Sequence, residues 1–151
     1  HDLGKLFGKK VIVLSFWSCQ CPVSIAYEER LMAVAKKYKE KDVVVFAIDS
    51  NTINDLERIQ KYAKEKKLPY PVLKDWDNVY ADRFDAKTTP EIFVIGKDQI
   101  VKYHGAIDNN QNVEKVTEHW LTDALDQHLA GKEIAKPKTK SFGCGIKRVQ
   151  K

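Results

Sequence analysis

Three cysteines, Cys19, Cys21 and Cys144, are the residues of this chain best suited to covalent chemistry. Two of them lie in the run Phe16-Trp17-Ser18-Cys19-Gln20-Cys21-Pro22-Val23-Ser24. Before that run, Val11 to Phe16 is apolar and β-branched and reads as a buried strand. After it, Val23 to Glu40 repeats Tyr27, Leu31, Val34 and Tyr38 at helical spacing, with charged residues on the other faces. Pro22 suits a first helical position, where no backbone N–H is needed. Cys21 therefore falls at a helix N-cap, where unpaired N–H groups and the positive end of the helix dipole favour a thiolate. A thiolate is the nucleophile that disulfide and peroxide chemistry require. The competing expectation is a buried, inert cysteine, but a strand-to-helix turn at the end of a sheet is a poor place for a core filler.

The elements that must position Cys21 follow from periodicity. Val43 to Ile48 is a second apolar run, so the strand-helix-strand order implies a parallel pair joined by a crossover. Asn54 to Lys66 reads as a second helix with Leu56, Ile59 and Ala63 on one side, ended by Leu68-Pro69-Tyr70-Pro71. A short segment from Pro71 to Asp75 and a helical turn from Asn78 to Phe84 come next. Glu91 to Ile95 and Ile100 to His104 flank Gly96-Lys97-Asp98-Gln99 and should pair as an antiparallel hairpin. Val113 to Leu129 has helical spacing and closes at Gly131. The order is that of the thioredoxin fold, an α/β fold with a central mixed β-sheet flanked by helices. Here it carries an insertion before the hairpin and a C-terminal extension. At 151 residues one domain is expected, with residues 1–131 as the thioredoxin-like body and 132–151 as a basic tail.

Phe16-Trp17-Ser18-x-x-Cys21-Pro22 resembles the active-site stretch of thioredoxin-like redoxins of the alkyl hydroperoxide reductase and thiol-specific antioxidant family, a peroxiredoxin-like group. Thr88-Thr89-Pro90-Glu91-Ile92-Phe93-Val94-Ile95 is similar to that family's Thr-Pro step, whose proline is cis and faces the reactive cysteine. Tyr103-His104-Gly105-Ala106-Ile107-Asp108, Leu129-Ala130-Gly131-Lys132 and Gly143-Cys144-Gly145-Ile146-Lys147 are similar to one peroxiredoxin-like branch, so the likeness spans most of residues 8–148. The resemblance implies a thiol-disulfide oxidoreductase with Cys21 as attacking thiolate. Thr89 and Pro90 would present backbone groups to an extended substrate segment or a small disulfide. Trp17 and Ser18 would border the substrate, and Ser24 would donate a hydrogen bond to the thiolate. No cofactor is expected. The partners are a protein or small-molecule thiol or disulfide and an electron donor that the sequence does not name.

This chain departs from the family pattern at several places. The second cysteine of a Cys-x-x-Cys pair is replaced by Ser24, and Cys19 is expected to take its place as partner. A Cys-x-Cys ring is short and more easily reduced than a structural bridge. Peroxiredoxins carry Thr or Ser three residues before the reactive cysteine, which Ser18 matches. They also need an upstream proline where this chain has Leu14, and an arginine where it has Thr89-Pro90. Thiol peroxidase is therefore the second reading. A third is a Cu(I) carrier using the soft Cys19 and Cys21 thiolates. His104, the only histidine of the sheet region, reads as a structural residue rather than a ligand. Asp49 reads as a strand-end cap, with a buried proton acceptor as the alternative. Asp108-Asn109-Asn110-Gln111-Asn112 reads as turn and cap chemistry rather than a calcium loop.

Cys144 is the odd thiol. Phe142, Cys144 and Ile146 alternate as a short docked strand would, so Cys144 either pins the tail to the body, resolves an intermediate at Cys21, or bonds a second molecule. Residues 132–151 hold seven basic side chains against Glu133 alone, which leaves the body at −1 of the total +5. The expectation is a solvated tail rather than a nucleic-acid surface, because no recognition motif accompanies the charge. The longest apolar run is far short of the ~20 residues of a membrane span. His1 with no charged-then-apolar leader suggests a processed or cut form, which fits either a cytoplasmic or an exported protein.

Overall fold

A computed structural model of the protein describes residues 3–151. Strand β1 (Val11–Phe16) leads through the cysteine turn into helix α1 (Pro22–Tyr38), and β2 (Val43–Asp49) returns parallel to β1. Helix α2 (Leu56–Glu65) connects to β3 (Val72–Lys74), which pairs parallel with β2. Helix α3 (Val79–Phe84) precedes the two-residue strand β4 (Thr88–Thr89). The hairpin of β5 (Glu91–Ile95) and β6 (Val101–Gly105) then adds antiparallel to β1, giving the mixed order β3-β2-β1-β5-β6. Helix α4 (Trp120–Leu129) and strand β7 (Cys144–Gly145) complete the chain. This is the thioredoxin fold expected from the element order.

Side-chain alternation explains why the central strands are apolar throughout. Val11 and Val13 of β1, Val43 and Val45 of β2, and Ile92 and Val94 of β5 face α1 and α4. There they meet Tyr27, Leu31, Val34, Leu121 and Leu125. Ile12, Leu14, Phe16, Phe46, Ile48, Phe93 and Ile95 face the opposite way, against Ala81 of α3 and Leu3. His104 stacks on Phe93, with ring centroids 4.1 Å apart, and its Nε2 lies 2.6 Å from Glu91 Oε1. It is a satisfied structural residue. Asp108 accepts hydrogen bonds from Tyr27 Oη at 2.8 Å and Arg30 Nη1 at 2.8 Å, which ties the Asp108–Asn112 loop to α1.

Two expectations need correction. Helix α4 starts at Trp120 rather than Val113, with only a single 3₁₀ turn at Val113–Lys115. The Asn109 side chain accepts from the amides of Thr117 and Glu118 at 3.0 and 3.1 Å, so the backbone there is bound to a side chain instead of a helix ladder. The basic tail is not simply solvated. It returns across the body: His104 N donates to Pro137 O, Thr139 N donates to His104 O, and β7 pairs antiparallel with β4.

Candidate active site

The turn after β1 is closed by backbone bonds that set the cysteine. Trp17 N donates to Ile48 O at 2.9 Å and Cys21 N to Ser18 O at 3.2 Å. Cys21 is the N-cap of α1 with extended backbone (φ −89°, ψ 116°), and Pro22 occupies the first turn. The Ser24 amide points at Cys21 Sγ at 3.5 Å. Helix geometry thus aims a backbone donor at this sulfur, as its place in the sequence implies.

Opposite Cys21 stands the Thr89–Pro90 peptide, which is cis. Cys21 Sγ lies 3.3 Å from the Thr89 carbonyl oxygen. Strand β7 lies along the same edge, with Thr88 across from Gly145 and Thr89 across from Cys144. Cys21 and Cys144 are joined in a disulfide, their Cα atoms 6.0 Å apart. The edge expected to receive an extended substrate is therefore filled by the chain's own residues. Gly143 makes this approach possible: its φ is +151°, and a Cβ there would overlap the Thr89 carbonyl.

Cys19, the expected partner, is not bonded to Cys21. It is a free thiol, 8% exposed, packed in the core cluster on the α1 face. The Cys21 sulfur faces Thr89, so the two cysteines of the turn serve different surroundings. Burial, and next the Asp49 carboxylate, push the Cys19 thiol pKa up. In fully reduced protein at neutral pH, Cys19 is accordingly expected to react with iodoacetamide at least ~10-fold more slowly than Cys21. Mass spectrometry of time-quenched samples reads both sites, and equal rates would contradict the assignment.

Three other expected site residues take different places. Trp17 is 1% exposed and packs on Tyr62 with centroids 5.3 Å apart, so it supports the turn from within. The Ser24 hydroxyl has no hydrogen-bond partner among the described residues; the amide, not the side chain, addresses Cys21. Ser18 is buried, and its Oγ accepts from Gln20 N at 3.2 Å and Asn54 Nδ2 at 3.1 Å, which holds the turn. Asn54 Nδ2 also donates to Asp49 Oδ2 at 2.6 Å, and Asn51 donates to Asp49 Oδ1 through its amide N–H at 2.8 Å. Burial raises the Asp49 pKa against these hydrogen bonds. Asn51, Asn54 and Asn78 escaped the sequence reading. The available signal was that they follow strands β2 and β3 at their carboxyl ends, where sites of open α/β sheets lie.

A cysteine on a helix N-cap, facing a cis-proline at the end of this mixed sheet, defines a thioredoxin-like thiol protein. The model of the AhpC/TSA family matches residues 1–104, and the chain belongs to that family. A hypothetical protein from Sinorhizobium meliloti 1021 is similar at 29% identity and a TM-score of 0.89, over 99% of this chain and 85% of its own. An uncharacterized conserved protein from Geobacillus kaustophilus is similar at 28% identity and a TM-score of 0.86, over 94% and 79%. A secreted Mycobacterium tuberculosis disulfide oxidoreductase homologous to E. coli DsbE shares 26% identity at a TM-score of 0.58, over 67% and 72%. No curated protein matches the chain. Among the described residues, no helix is long and apolar enough to cross a membrane.

Proposed function

We propose that the protein is a thiol-disulfide oxidoreductase in which Cys21 is the attacking thiolate and Cys144, not Cys19, is its partner. The observation that carries this reading is the Cys21–Cys144 bond, formed at a helix N-cap beside a cis-proline. Likeness to a disulfide oxidoreductase at 26% identity supports it. Residues 1–131 act as the redoxin body, and residues 132–151 deliver the second cysteine. The Cys21 thiolate attacks a substrate disulfide and expels one thiolate. Cys144 then attacks the Cys21 sulfur of the mixed disulfide, expels the second thiolate and closes the Cys21–Cys144 bond. An external dithiol, by the reverse exchange, returns the protein to its reduced form.

Peroxidase chemistry has weaker support. Leu14 is buried in the core where a peroxiredoxin has proline, and the Ser18 hydroxyl already bonds Asn54 and Gln20. Stopped-flow mixing of reduced protein with a small disulfide and, separately, with hydrogen peroxide tests the assignment. Rapid exchange with the disulfide is expected, and a peroxide rate little above that of a free thiolate. A peroxide rate several orders of magnitude higher would make the protein a peroxidase instead.

A further inference from the structure

The bond to Cys144 is only one of the ties that hold residues 137–149 on the body, and the others involve no sulfur. Before Cys144, Thr139 Oγ1 accepts from Ala106 N at 3.1 Å, Ser141 Oγ meets Thr88 Oγ1 at 3.1 Å, and Phe142 packs edge-on against Tyr27 at 5.8 Å. After Cys144, Ile146 N donates to Lys87 O at 3.0 Å, and its side chain packs against the core cluster that contains Phe16, Phe93 and Ala81. Lys147 is bracketed, its N–H donating to Asn51 Oδ1 at 2.8 Å and its carbonyl accepting from Thr52 N at 2.8 Å. Val149 N donates to Asn78 Oδ1 at 2.7 Å.

Asn51 and Asn78 are 3% and 1% exposed. Each is turned toward the tail by its own amide group, Asn51 Nδ2 donating to Asp49 Oδ1 at 3.2 Å and Asn78 Nδ2 donating to Ser50 O. Lifting the tail would break the hydrogen bonds to both preoriented oxygens, whatever the state of the sulfurs. The tail also fills the β4 edge to which an incoming polypeptide strand would add. With Gly143 pressed on the Thr89 carbonyl, no substrate residue fits there at the same time.

We infer that the tail stays seated when the disulfide is reduced, clamped by Asn51 and Asn78, and thereby restricts Cys21 to low-molecular-weight disulfides while excluding disulfides carried in protein segments. This rests on the oxidoreductase reading and assigns its substrate class. Cys21 itself is 3% exposed beneath the seated tail, and its neighbours Gln20 and Pro22 are exposed, so the side left to a small molecule is past the turn rather than along β4. Two electrons pass from the Cys21 and Cys144 thiols to the small disulfide. Both thiol protons leave on the two released small thiols. Asn51 and Asn78 are positioning residues, acting through the tail backbone.

The test compares bis(2-hydroxyethyl) disulfide with insulin as oxidants of the fully reduced, full-length protein, with a simple monothiol as reference. Relative to that reference, the protein is expected to favour the small disulfide by at least ~100-fold. The Asn51→Ala/Asn78→Ala double variant should narrow that preference by at least ~10-fold through faster reaction with insulin. Gly143→Ala, which unseats the tail from a different side, should narrow it in the same direction. General loss of stability would also move the ratio toward that of the monothiol, so each variant is compared at a temperature where circular dichroism shows it fully folded. A wild-type preference no greater than that of the monothiol, or an unchanged ratio in both variants, overturns the inference while leaving the oxidoreductase reading intact. Exchange with neither oxidant overturns both.

Discussion

Cys21→Ser is expected to abolish thiol-disulfide exchange, a loss of ~10³-fold or more of the kind seen when a nucleophile is removed. Cys144→Ser is expected to do something different. Its Cys21 should still attack a small disulfide, but the mixed disulfide should persist, because the second thiolate is missing and Cys19 packs in the core cluster while the Cys21 sulfur faces Thr89. Intact-mass measurements after one equivalent of disulfide would show an adduct on Cys144→Ser and none on wild type. Cys19→Ser should behave as wild type and form the Cys21–Cys144 bond. If Cys19→Ser accumulated the adduct and Cys144→Ser did not, the partner would be Cys19, as the spacing of the turn first suggested.

The oxidised protein is expected to melt about 10 °C or more above the reduced protein. The linked cysteines are 123 residues apart in sequence, so the bond closes most of the chain into a loop in the unfolded state. On the chain-entropy account, a loop of this length is worth about 4–5 kcal/mol. In a domain of this size each kcal/mol moves the melting temperature by roughly 2–4 °C. The stabilisation acts on the unfolded chain, so it is compatible with a tail that stays seated in the reduced native state. Calorimetry on Cys19→Ser, oxidised and reduced, isolates the effect from the third thiol. Melting temperatures within about 2 °C of each other would show that the C-terminal segment is not part of the cooperative fold.

The elements of the body were legible because their burial is written as local periodicity. Val11 to Phe16 and Val43 to Ile48 are apolar on both faces, since each strand is covered by helices on both sides. The stripe of Tyr27, Leu31, Val34 and Tyr38 reports one helix face against that sheet. Where a side chain replaces the ladder, the pattern misled: Val113 and Val116 keep helical spacing, yet Asn109 holds the amides of Thr117 and Glu118. The hairpin and the residues around it were also local matters, since Gly96 to Gln99 leaves few other ways to join two apolar runs.

That the Thr89–Pro90 step faces Cys21, 68 residues away, was legible only through the family resemblance. The sequence by itself determined the α/β element order and the N-cap position of Cys21 beside Pro22. These depend on neighbours a few residues away, through helix-terminus dipoles and the restricted backbone of proline. Only the tertiary structure decided which thiol Cys21 bonds. That choice rests on the return of residues 137–149 across the body, held by Asn51, Asn78 and the β4 edge, more than 50 residues from the segments they meet. Nothing in the spacing of Cys19 and Cys21 encodes such a contact. A pairing between distant segments is fixed by how buried amides and carbonyls find partners once the sheet has formed, and this is what brought Cys144 to Cys21.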